Sequence, residues 1–183
     1  MKRAAESRRV HLRSLKGLAA LAYKCVRLAT DKGDALVLAF DAEGEHSIRQ
    51  GVAAAKGSAE EVIPTIVAEA SPEFEAWVIA GHELTSTHHR ERHQEALERL
   101  KRYGIDPLEK PHKLTANVSG DARDSKEILA LLLGIEGQPA GTPEVSACLD
   151  ADLTKLRSRG RETGIAQYLD EVAAVMIPLL RSP

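Results

Sequence analysis

The segment Ala35-Leu36-Val37-Leu38-Ala39-Phe40 constrains this chain more than any other. It is a continuous apolar run that stops abruptly at Asp41-Ala42-Glu43-Gly44-Glu45. That pattern predicts a short strand buried on both faces. His46 to Lys56 then reads as a helix closed by Gly57, and Glu61 to Ala68 as a second strand. Pro64 restricts the second strand to an edge or its own start to a first position. A strand–helix–strand unit implies a right-handed crossover and parallel pairing. Two parallel strands make a poor sheet. Either a further strand hides in a loop-like segment such as Lys113 to Val118, or the chain lacks one.

Helical patterns fill the remainder. Leu12, Leu15, Leu18, Ala19, Ala22, Val26 and Ala29 recur at three- and four-residue steps and predict one helix over residues 3–31, stopped by Asp31-Lys32-Gly33-Asp34. Ser71-Pro72 reads as N-cap and first residue of a helix carrying Glu73 to Ala80. A charged helix is expected over Thr87 to Tyr103, ending at Gly104, followed by a loop over 106–123. Asp124-Ser125-Lys126 opens a further helix to about Leu133, Gly134 to Pro143 is a connector, and Asp150 to Arg159 and Glu162 to Leu180 are helical. The expected architecture is a single α/β domain over 1–183. It has a basic N-terminal helix (1–33), a core with the acidic residues (34–104) and a helical C-terminal part (105–183).

Composition closes off several classes. The chain has 183 residues, 43% hydrophobic and 28% charged, which is ordinary for a soluble domain. No apolar run approaches the ~18 residues of a membrane span. No apolar segment follows the basic residues of Met1 to Arg9, so no secretory signal is visible and a cytoplasmic location is expected. Cys25 and Cys148 alone make neither a disulfide framework nor a zinc knuckle. Aromatics at 3% argue against a stacking platform for single-stranded nucleic acid. Charge is unevenly placed: residues 1–32 hold nine Lys/Arg against Glu6 and Asp31, while 33–87 hold ten Asp/Glu against Arg49 and Lys56. A basic arm followed by an acidic block either neutralises itself across the fold or marks a site.

Four constellations could carry chemistry. Asp41 and Glu43, two apart past the end of a buried strand, sit where open α/β sheets place ligands, and such oxygens suit magnesium. The alternative is a polar loop capping the next helix. Glu73 and Glu75 flank Phe74 at a helix opening, and in isolation they read as solvent-facing acids of a well-capped helix. Phe74 and Trp77 share a face that anchors it. His89 and His93 have a chelating i, i+4 spacing, but Arg90 and Arg92 bracket them, so a solvated helix face is preferred. Lys126 is oddly placed in a first turn unless an anion lies nearby; otherwise it is an exposed lysine.

Taken in order, these segments resemble the Toprim-like proteins related to the overcoming-lysogenization-defect nucleases, and in particular a small bacterial branch of unknown function. The matching stretches are Ala35 to Gly44, Val62 to Ala80 and Asp124 to Leu133, with Asp150 to Leu153 and the final helix fitting the tail. Glu75-Ala76-Trp77 is the most specific part. The resemblance implies a small parallel sheet sandwiched by helices and an acidic site for magnesium or manganese. It assigns Asp41, Glu43 and Glu75, with Glu73 beside them, to the metal, and Lys126 to neutralising a phosphate. Family members begin with an apolar strand ending in Glu-Gly, which has no counterpart ahead of residues 3–31. Either the chain starts too far downstream, or the strand and its glutamate are lost.

Two functions compete on these grounds. One is a metal-dependent nuclease or related phosphoryl-transfer enzyme, with the basic arm holding nucleic acid. The other is a catalytically degenerate protein acting with a partner such as an ATPase, in bacterial defence. A small-molecule phosphohydrolase is a third option.

Overall fold

The computed structural model describes residues 35–42, 49–53, 64–116, 120–135 and 151–181. Over these the chain is α/β, with a two-stranded parallel sheet and otherwise mostly helices. It divides into two compact units, Met1–Ala68 with Tyr168–Pro183, and Glu69–Gln167. The expected helix over 3–31 lies outside the described residues. So do the ends of the helix expected over His46 to Lys56, of which 49–53 are helical.

In the first unit, β1 (Leu36–Asp41) pairs with β2 (Thr65–Ala70), whose last two residues pass into the second unit. Leu36 N–H donates to Pro64 O at 2.8 Å. Pro64 thus stands just before β2, where its missing N–H costs no ladder bond. Ile66 and Ala68 are fully or nearly fully buried. β1 departs from the expectation of a strand covered on both faces: Leu36 is buried, but Val37 is 46% exposed. The reason is the size of the sheet, because two strands with one packed side leave alternate side chains outside. Val67 N–H donates to Glu171 Oε2 at 3.0 Å, so a carboxylate of the C-terminal helix satisfies an N–H on β2.

The second unit is helical. It contains α1 (Phe74–Gly81), α2 (Thr87–Leu100), α3 (Ser125–Leu133) and α4 (Leu153–Arg159). The long helix α5 (Ile165–Arg181) begins here and continues into the first unit. Ile79, Ala96, Leu100, Ile105, Leu108, Leu114, Ile128 and Leu132 form the core among α1, α2 and α3. Ala96 and Leu100 lie four apart on α2, and Ile128 and Leu132 four apart on α3, so each helix inserts one stripe.

Local chemistry sets the helix ends. Ser86 Oγ accepts from His89 N–H at 3.0 Å to start α2. A 3₁₀ turn over Lys101–Tyr103 and Gly104 at φ 63° end it, as the sequence predicts. Asp124 Oδ1 accepts from the N–H groups of Lys126 and Glu127, at 3.0 and 3.2 Å, and opens α3. The helix start expected at Ser71-Pro72 is displaced. Glu73 is still extended at φ −153° and ψ 174°, and α1 begins at Phe74. Ser71 does not stand at the N-cap position, because Glu73, two residues on, is still extended and the chain turns helical only at Phe74; Ser71 N–H donates to Thr163 O at 3.0 Å. The segment Lys113 to Val118 does not supply a strand over its described part. Pro111–Lys113 is a 3₁₀ turn, and Thr115 makes a single parallel bridge with Asp124.

One lock sets the exit from β2. Trp77 Nε1 donates to Thr163 O at 2.6 Å, on the same carbonyl that Ser71 uses. The Phe74 ring stands edge-on to Trp77, centroids 5.0 Å apart. Gly164 follows at φ 90°, and a Cβ there would lie 2.2 Å from Glu69 O. Gly120 has a similar φ of 82° but open space around it. Gly164→Ala is therefore expected to lower the free energy of unfolding by roughly 1–3 kcal/mol more than Gly120→Ala, measured by urea titration followed by circular dichroism. Equal losses would show that the close approach to Glu69 contributes nothing.

Candidate functional site

A carboxylate on the first turn of a helix normally faces water and the helix N-terminus. Glu73 does otherwise. It is the N-cap residue of α1, yet its side chain makes no capping bond and has no exposed surface. It turns instead to the start of α3. Ser125, itself fully buried, donates its Oγ hydrogen to Glu73 Oε1, and Lys126 Nζ stands 3.2 Å from Glu73 Oε2. Asp124, also buried, holds the first turn of α3 in place through its two backbone bonds. The partners are 52 and 53 residues away in sequence, and each lies at the N-terminal end of a helix, where negative charge is favoured.

This geometry resolves the odd lysine. Lys126 sits in a first turn because a buried anion lies beside it, and the anion is Glu73. Its side chain is 48% exposed, so the ammonium bridges the buried carboxylate and solvent. Glu73 Oε2 accepts no hydrogen bond even though it is buried, which leaves an oxygen lone pair held next to a cation.

The other expected residues fall as follows. Asp41 is the last residue of β1, half-buried, in the first unit. Glu43 lies outside the described residues. Glu75 is in the first turn of α1 and half-buried. Glu73 and Lys126 are thus brought together within the second unit. Among the described residues, no group of three or more His, Cys, Asp or Glu is gathered as a metal site. Glu73 Oε2 is a buried oxygen of the kind a hard cation takes, but the Lys126 ammonium already stands beside it.

Sequence reading missed two residues here. Ser125 is one; a serine after an N-cap aspartate gives no hint that it will bond a glutamate 52 positions earlier. The other is His82, just past α1. It is buried, its ring centroid is 5.2 Å from that of His89, and its Nε2 has no hydrogen-bond partner. Burial, and then the neighbouring His89 and His93, lower its pKa from 6.5 to about 4. The face of α2 carrying these histidines is not wholly solvated, as the sequence suggests. His88 is exposed, but His89 and His93 are half-buried. His89 Nδ1 lies 3.1 Å from Thr85 Oγ1 and 3.2 Å from Glu83 O. His93 Nε2 lies 3.0 Å from Asp106 Oδ1.

No protein-family model, curated protein or solved structure matches this chain.

The depressed pKa of His82 has a definite sign. The folded state holds the ring neutral, whereas the unfolded chain protonates it below about 6.5. Stability from this source is complete above pH 6.5 and is lost as pH falls toward 4. Between pH 7.5 and 4.5 the native chain should lose roughly 1–2 kcal/mol more than the His82→Gln variant, measured by urea unfolding at each pH. Parallel losses in the two proteins would contradict it.

Proposed function

We propose that this chain is a Toprim-like protein that acts on phosphodiesters with magnesium or manganese. One observation supports the reading above the rest. Glu73 and Lys126, singled out from separate sequence motifs, form an ion pair at two helix N-termini, its carboxylate buried and its ammonium half-exposed. Asp41 at the end of a parallel strand is consistent with the same reading, since ligands of open α/β sheets gather at strand carboxyl ends.

It is the resemblance that assigns Asp41, Glu43, Glu73 and Glu75 to a metal, which would supply a Lewis acid for a phosphoryl oxygen. Lys126 places a positive charge at the solvent boundary of the site, where a phosphate oxygen would meet it. Glu73 sets the direction of that charge, and Ser125 fixes Glu73. Asp124 holds the backbone on which both Ser125 and Lys126 sit.

A second reading is favoured by the same pair. The charge of Glu73 is already met by Lys126 and Ser125, as in a purely structural ion pair with one buried partner. Ile177 and Leu180 on α5 are exposed, Leu180 by 78%. Together these fit a catalytically degenerate protein that docks on a partner such as an ATPase.

Incubation of plasmid DNA, linear DNA and RNA with the chain, with and without manganese or magnesium, separates the two. The phosphodiesterase reading expects metal-dependent cleavage that falls about 10²-fold in Asp41→Ala and in Lys126→Met. Absence of cleavage, or cleavage indifferent to both substitutions, would favour the docking protein.

A further inference from the structure

The second unit contains a basic cleft apart from the Glu73 pair. It has a volume of about 290 Å³ and is bordered by Tyr103, Lys110, Lys113 and Arg123. These come from three separate pieces of chain: the 3₁₀ turn closing α2, the turn around Pro111, and the loop before α3. No acidic side chain is among its lining residues.

Its cations are held in two ways. Arg123 is fixed by Asp121, with Nη2 donating to Oδ2 at 2.8 Å and Nε to Oδ1 at 3.3 Å. Its guanidinium also lies 4.8 Å from the centre of the Tyr103 ring. The Arg102 guanidinium lies 4.6 Å from the same centre. One aromatic ring thus gathers two guanidiniums, which repel one another unless an anion is near. Lys110 and Lys113 are exposed, and neither makes an ion pair among the described residues. Three cations, Lys110, Lys113 and Arg123, line the cleft, and of these Arg123 is paired with Asp121.

We propose that the cleft binds a phosphate of a nucleic-acid strand. The chemistry favours phosphate. Fixed guanidinium plus mobile ammonium groups is the donor set that phosphate oxygens satisfy. The volume is at the low end for small-molecule pockets, roughly 300 Å³, which suits a phosphate and its sugar more than a large cofactor. Tyr103 serves as a platform for the arginines, so the site grips backbone and not bases. The choice of a strand as carrier of the phosphate rests on the phosphodiester reading above; the phosphate chemistry does not.

The test is binding of a fluorescein-labelled 12-nucleotide single strand to the full chain in EDTA, by anisotropy, between 50 and 200 mM salt. The double variant Lys110→Gln/Lys113→Gln is compared with Lys155→Gln/Arg157→Gln, which removes equal charge elsewhere. The cleft variant is expected to bind about tenfold more weakly at the lower salt, with the slope of log K against log salt reduced by about 1.4. Absence of binding by the native chain, or equal losses in the two variants, would overturn the proposal. Inorganic phosphate and AMP serve as competitors. Displacement at concentrations comparable to the strand would overturn the strand and assign a free nucleotide instead. Lysine-dependent binding without metal-dependent cleavage would retire the phosphodiester reading and leave the cleft standing. Cleavage with KM unchanged in the cleft variant would do the reverse.

Discussion

Burying a carboxylate is among the more expensive things a small helical unit can do, and Glu73 has no exposed surface. Removing an ion from water costs several kcal/mol even after the surroundings relax. The charge is tolerated because the Ser125 hydroxyl donates to one oxygen and the Lys126 ammonium stands beside the other. Two helix N-termini add favourable partial charge. The direction of Glu73 depends in turn on how the chain leaves β2. Trp77, Ser71 and Gly164 lock that exit against the turn around Thr163, and the lock keeps Glu73 extended so that its side chain reaches α3 instead of capping α1.

The same unit shows how its charges are placed. Arg92 donates to Leu131 O at 3.0 Å, close to the helix end where Gly134 stands at φ 72°, and so satisfies a terminal carbonyl of α3. Arg99 pairs with Glu127 between α2 and α3. Arg159 reaches Glu109 and the carbonyl of His82. These cations are held by helix-to-helix or helix-to-loop contacts. Lys110 and Lys113 contrast with them, since they border a cleft lined also by Arg123 and with no acid among its lining residues.

Much of the helical part was legible in the sequence, and the reasons are local. Gly104, Asp124 and Gly134 are strong stop and start signals, and α2 and α3 begin or end where those residues stand. The apolar run at Ala35 gave β1 to within a residue, because few other short patterns are so unbroken. The helix start at Ser71-Pro72 is not legible locally, because Glu73 is kept extended by long-range contacts around Thr163 and the helix begins only at Phe74. The burial of Glu73 was illegible for a similar reason. A glutamate at a helix opening looks solvent-facing until a serine and a lysine from 52 and 53 positions away are folded against it. Lys126 was the partial exception, since a cation in a first turn already asked for an anion nearby.

The account turns on the coupling between Glu73 and Lys126, and a double-mutant cycle measures it directly. Glu73→Gln, Lys126→Met and the combined variant would be unfolded in urea at pH 7 beside the native chain. Lys126→Met alone, which leaves the buried carboxylate without its cation, should destabilise more than the combined variant, with a coupling of about 1–3 kcal/mol. Additivity within about 0.5 kcal/mol would contradict the account, by showing that the lysine does not compensate the buried charge.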